Sequence, residues 1–147
     1  MEKFMNLKVI ISALVITVFC TVNTFAQNVQ VVVEITNVEI NNGIVYIAIF
    51  ANANEFRNEE PSYVFELEST STTLSQEVTL PAGEYVVSAF QDANNNQKLD
   101  FGLFGIPREL VGISNYFGRG FPSQNFNRQK IPINSTTEKV VIGLYRF

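Results

Sequence analysis

The sequence predicts an all-β fold, a sandwich of about seven short strands. Apolar residues recur at every second position in several runs, and Asn, Gly, Pro and Ser clusters separate those runs. No stretch shows the 3.6-residue period of an amphipathic helix, and no internal repeat is present.

Val29, Val31, Val33 and Ile35 alternate with polar neighbours, the signature of a half-buried strand. Val38 and Ile40 extend it past an irregularity at Thr36-Asn37, and Asn41-Asn42-Gly43 turns the chain. Ile44 to Phe50 is almost wholly apolar. It reads as a central strand buried on both faces, with Ile47 and Ile49 opposite Tyr46 and Ala48. Ala51 to Pro61 is polar and reads as a loop. Tyr63, Phe65 and Leu67 alternate in a further strand that ends in a turn at Ser69 to Thr73. Glu77 to Leu80 is a short strand. Leu80-Pro81-Ala82-Gly83-Glu84-Tyr85 then turns the chain into the strand Tyr85 to Phe90. From about 92 to 126 the chain is irregular, rich in Gly and aromatics, and without period. Excursions of that length are usually functional or tied down. Lys130 to Ile133 and Glu138 to Phe147 supply the last strands. The pattern suits an immunoglobulin-like or transthyretin-like sandwich. A C-terminal Phe also ends many outer-membrane barrels, but the long loops fit a barrel poorly.

Residues 1–26 read as a signal peptide. Lys3 and Lys8 precede an apolar run from Val9 to Val22, and Thr24-Phe25-Ala26 ends in a small residue. The run is too short to span a bilayer, which takes roughly 20 residues. Cys20 would serve a lipoprotein signal, but the bulky Phe19 precedes it. Cleavage is expected before Gln27, giving an exported domain, periplasmic or extracellular. Without Glu2, Lys3 and Lys8, residues 27–147 carry 8 basic and 13 acidic side chains, a net charge of −5. That balance argues against nucleic acid and anionic membranes as partners, and the mature domain is not expected to insert into a membrane. The chain has no His, and its single Cys leaves with the leader. Disulfides, the usual zinc sites, a Cys nucleophile and a Ser-His-Asp triad are thereby removed.

One stretch carries recognisable chemistry: Asp92-Ala93-Asn94-Asn95-Asn96-Gln97-Lys98-Leu99-Asp100. Its side-chain oxygens have the spacing of a calcium loop, in which positions 1, 3, 5 and 9 face the ion and position 7 offers a carbonyl. Asp92, Asn94, Asn96 and Asp100 would be side-chain ligands, Lys98 would give its carbonyl, and Leu99 would point into the core. Two departures rule out an EF-hand. Position 6, usually Gly, is Gln97, and position 12, usually a bidentate Glu, is Leu103. Glu109, the nearest downstream carboxylate, is the substitute ligand. The alternative is an Asn-rich turn with no ion.

Gly83-Glu84-Tyr85, Phe90-Gln91-Asp92, the Asn-rich loop to Leu99-Asp100, Phe104-Gly105-Ile106-Pro107, Glu109 and Gly112-Ile113-Ser114-Asn115 together resemble a family of exported bacterial proteins known only as a domain of unknown function. Members usually have Gly where Gln97 stands and Phe where Ile113 stands. The resemblance implies export and the loop, and no reaction. The Leu80–Tyr85 turn is also similar to that of collagen-adhesin B-type and transthyretin-like sandwiches. The leading expectation is a calcium-stabilised structural or binding module, not an enzyme. An alternative is a glycan-binding module, with Tyr116, Phe117 and Phe121 as an aromatic platform and Asn115 and Arg119 as polar partners. A second alternative is a hydrolase using Asp92 or Asp100 with Glu109. Partners would then be a glycan or an exported or cell-surface protein.

Overall fold

A computed structural model describes residues 27–147. The expected signal peptide, residues 1–26, lies outside the described residues. Eight strands form two sheets. In chain order they are β1 (Asn28–Thr36), β2 (Ile44–Phe50), β3 (Tyr63–Glu68), β4 (Thr73–Pro81), β5 (Gly83–Asp92), β6 (Leu110–Ile113), β7 (Ile131–Ile133) and β8 (Lys139–Gly143). Two short helices, α1 (Ala53–Asn58) and α2 (Phe126–Gln129), and a 3-10 turn at Leu103–Gly105 interrupt them. No described helix is long and apolar enough to cross a membrane.

One sheet has the order β4-β1-β8, with β4 antiparallel and β8 parallel to β1. The other has the order β3-β2-β5-β6, all antiparallel, and β7 pairs with the start of β5. The all-β sandwich expected from the sequence is therefore observed. Its core is the set of inward residues of both sheets. Val29, Val31, Val33, Ile35, Leu80 and Ile142 from one meet Val45, Ile47, Ile49, Val87, Ala89 and Ile133 from the other. Burial alternates along β1 as the Val/Ile spacing requires.

Several expectations are corrected. Ile44 to Phe50 is a central strand, but it is not buried on both faces: Val45, Ile47 and Ile49 are fully buried, while Ile44, Tyr46 and Ala48 are half-buried. Among the described residues no second layer covers the outer face, where Tyr46 stacks on the cross-strand Phe90 at 5.1 Å. Val38 and Ile40 do not extend β1. Asn37 and Asn41 have φ of 63° and 57°, outside strand geometry, so the chain turns there. Val38 is buried in the turn and Ile40 is exposed. The loop 51–61 contains α1. Asn52 caps it by accepting from the Asn54 and Glu55 amides (both 3.0 Å), and Glu55 accepts from the Ala51 amide (2.8 Å). This reciprocal cap makes a six-residue helix possible without a long apolar period. The strand expected at Glu77 to Leu80 is longer and runs from Thr73 to Pro81. The irregular segment at about 92–126 contains β6.

Two junctions join the sheets. At the Leu80–Tyr85 turn the chain changes sheets, and the buried Tyr85 hydroxyl donates to the Pro81 carbonyl (2.8 Å). Burial raises the pKa of that hydroxyl. After β8, Tyr145 crosses to β6 and exchanges two backbone bonds with Val111 (2.9 and 3.0 Å). A Cβ on Gly112 would lie 2.3 Å from the Gly143 carbonyl oxygen, so the backbones approach there as only glycine allows.

Candidate metal site

β5 delivers Gln91 and Asp92 to the end of the sandwich, and both are buried. Gln91 lies in phase with Val87 and Ala89, so its amide enters the core side. There it donates to the Glu39 and Asn42 carbonyls (2.6 and 2.8 Å) and accepts from the Glu39 amide (2.9 Å). The turn between β1 and β2 is thus tied to β5. Sequence reasoning missed this residue, although a polar side chain in core phase was its signal.

Asp92 is 0 % exposed. Its Oδ1 accepts from the Asn96 amide (3.2 Å) and its Oδ2 from the Gln97 amide (2.7 Å). Asn94 Oδ1 accepts from the Asn96 amide (3.0 Å), and Asn96 Oδ1 from the Lys98 amide (2.9 Å). The Asn94 and Asn96 side-chain amides both donate to Asp100 Oδ2 (2.7 and 3.0 Å). The chain therefore coils around its own alternate side chains, which an ion-binding loop and an Asn-rich turn both do. Gln97 has φ of 63°, so it adopts the left-handed conformation that glycine usually supplies in a calcium loop. Leu99 is half-buried and lies outside the core cluster, contrary to expectation, because the loop projects from the strand end.

Glu109, immediately before β6, is 6 % exposed. Its Oε1 accepts from the Ala93 amide (3.1 Å) and its Oε2 from the Asp100 amide (3.2 Å). The Arg108 amide donates to the Asp100 carbonyl (2.9 Å). One carboxylate thus clamps both ends of the loop, and Asp92, Asn94, Asn96, Asp100 and Glu109 belong to one hydrogen-bond network. The exposed Lys98 adds its amide to it. Among the described residues, no three His, Cys, Asp or Glu side chains converge as a ready-made metal cluster. An ion here would need the Asn and carbonyl oxygens as well.

The loop aromatics divide. Tyr116 is half-buried, edge-on to Tyr145 at 5.5 Å, and its hydroxyl donates to the Gly120 carbonyl (2.6 Å). Burial raises its pKa. Phe121 stacks on Phe147 at 5.3 Å yet is 66 % exposed, and Phe117 is 79 % exposed. Arg119 is exposed between them. The Asn115 side chain faces its own chain and donates to the Lys130 carbonyl (2.9 Å). The neighbouring Ser114 is buried. Its hydroxyl donates to the Gln129 carbonyl (2.6 Å) and accepts from the Val87 amide (3.1 Å). A shallow groove of about 520 Å³ runs between the 102–108 turn and Arg146-Phe147. No Asp or Glu side chain among the described residues lines it.

The family model described as "Uncharacterized protein conserved in bacteria (DUF2141)" matches residues 33–141. The chain belongs to the DUF2141 family. The match runs from the middle of β1 into β8, so the Asp92 loop, Glu109 and the Gly-rich segment all fall inside the DUF2141 region. No curated protein and no solved structure matches the chain.

Proposed function

We propose that this DUF2141 chain is an exported β-sandwich module, stabilised by one calcium ion and serving a structural or binding role. The observation that supports the ion is electrostatic. Asp92 and Glu109 are buried, Asp100 is half-buried, and none of the three has a Lys or Arg partner among the described residues. Three carboxylates in one network, satisfied only by backbone and Asn amides, are costly to desolvate unless a cation joins them. The ligand set is Asp92, Asn94, Asn96 and Asp100 through side chains, Lys98 through its carbonyl, and Glu109 in the role of the missing bidentate Glu. Oxygen donors alone suit a hard divalent cation. Export supports the choice of calcium, because a weak site, with a dissociation constant of roughly 10⁻⁴–10⁻³ M, suffices outside cells.

Thermal melts of the protein in millimolar calcium and in chelator test the reading. At ten times the dissociation constant the folded state gains about 1.4 kcal/mol by mass action. For a chain of this length that is about 5 °C in Tm. Asp92→Ala and Asp100→Asn should each remove the calcium-dependent shift, whatever they do to the baseline melt. If calcium leaves both the melt and the hydrogen exchange of residues 92–110 unchanged, the loop is an Asn-rich turn only. A glycan-binding face is the second reading, supported by the exposure of Phe117 and Phe121 beside Arg119. The hydrolase reading draws no support from the groove, because Asp92 and Glu109 are directed at loop amides.

A further inference from the structure

We propose that the end of the sandwich carrying Leu103 and Phe104 docks on the surface of an anionic phospholipid bilayer. The turn beyond the Asp92 loop is a short, closed finger. The Gly102 amide donates to the Ile106 carbonyl (2.7 Å), and Phe101 bridges to Pro107. At its tip, Leu103 is 81 % and Phe104 97 % exposed. Two adjacent large apolar side chains held this far into solvent gain nothing from folding. A burial of about 1.5–3 kcal/mol each is left for a partner.

Charge selects the partner. The net −5 of residues 27–147 is unevenly exposed: at this end Arg108 and Arg119 are exposed, whereas Asp92 and Glu109 are buried and Asp100 is half-buried. Arg108 lines the same groove as Leu103, Phe104 and Phe147, and Phe147 stacks on Phe121 in the turn that bears Arg119. Arg108 and Arg119 form no ion pair among the described residues, whereas Arg146 is bound to Glu39. Unpaired guanidinium groups beside a convex apolar tip match lipid phosphates lying above acyl chains. The overall charge, which argues against adsorption of the whole domain, does not describe this end. The inference does not require the calcium ion.

Vesicle co-sedimentation tests it. Both sheets and the core cluster of the described residues lie within residues 27–147, so this domain is used, with a cooperative melt as the control for folding. The probes are vesicles of phosphatidylglycerol with phosphatidylcholine, and of phosphatidylcholine alone, each in calcium and in chelator. Expected is binding to the anionic vesicles that weakens with salt. The L103S/F104S double variant should bind at least about tenfold more weakly. R108Q/R119Q should lose roughly fivefold per charge. Val64→Ser, an exposed apolar position on β3, should bind as the parent does. Absence of vesicle binding in both conditions overturns the proposal and leaves the tip to a protein partner. Equal binding by L103S/F104S and the parent overturns it as well. The calcium reading fails separately, by melts without vesicles.

Discussion

Replacing Gln97 with glycine is expected to stabilise the protein. Gln97 is exposed and has φ of 63°. A residue with a Cβ pays about 1–2 kcal/mol in that region. Its one hydrogen bond of consequence is from its backbone amide to Asp92 Oδ2 (2.7 Å), which glycine retains. Against the relief stands the greater freedom of glycine in the unfolded chain, about 0.4–1 kcal/mol. The net gain is about 0.5–1 kcal/mol, which for a domain of this size raises Tm by about 2–4 °C. Asn95→Gly is the internal control. Asn95 has φ of 57°, but asparagine tolerates the left-handed region, so its replacement should change little. Thermal and urea melts of the two variants and the parent measure the difference. The ligand set is untouched, so any calcium-dependent shift should survive in Gln97→Gly. A Gln97→Gly variant that melts below the parent would refute the strain argument. Equal gains at the two positions would show that the loop, and not the Cβ of Gln97, sets the energy.

Other outcomes follow from the core and the surface. Ile47→Ala should cost about 2–5 kcal/mol in urea melts, because Ile47 is fully buried between the sheets, and a loss below about 1 kcal/mol would mean that the core closes over the gap. Gly112→Ala should cost at least about 2 kcal/mol, because its Cβ would meet the Gly143 carbonyl, and the damage should appear first in the exchange of the Val111 and Tyr145 amides. The Glu39 carboxylate accepts from Arg146 (2.8 Å), which with Asn42 holds its pKa below 4.5. Its contribution is therefore complete above pH 4.5 and is lost as pH falls through the lowered value. Glu39→Gln should accordingly lose less stability than the parent on acidification below pH 4.5, and molar salt should shrink the difference because the pair is exposed.

Much of the architecture is legible in residue order alone. Alternating Val and Ile define β1. The turn at Asn41-Asn42-Gly43 holds because Asn41 and Gly43 can both take positive φ (57° and 77°). The loop spacing also survives, with Asp92, Asn94, Asn96 and Asp100 in one network. Local patterns succeed wherever one strand face is buried and one turn residue has a steric advantage. They fail at Ile44–Phe50, where an apolar run suggests two covered faces. Nothing in a strand records whether a second layer packs on it. They fail again at Leu110–Ile113, a strand of only four residues whose partners lie in β5 and at Tyr145.

By itself the sequence determined the all-β class, the turn at Asn41-Asn42-Gly43 and the oxygen-rich loop, because each depends on residues within a few positions of one another. Only the tertiary structure decided that β8 runs parallel to β1 and that Glu109 clamps both ends of the loop. It also decided that Leu103 and Phe104 stand in solvent beside Arg108. These arrangements join residues far apart in the chain. Their energies come from burial and from hydrogen bonds between segments, and neither exists until the sheets have packed.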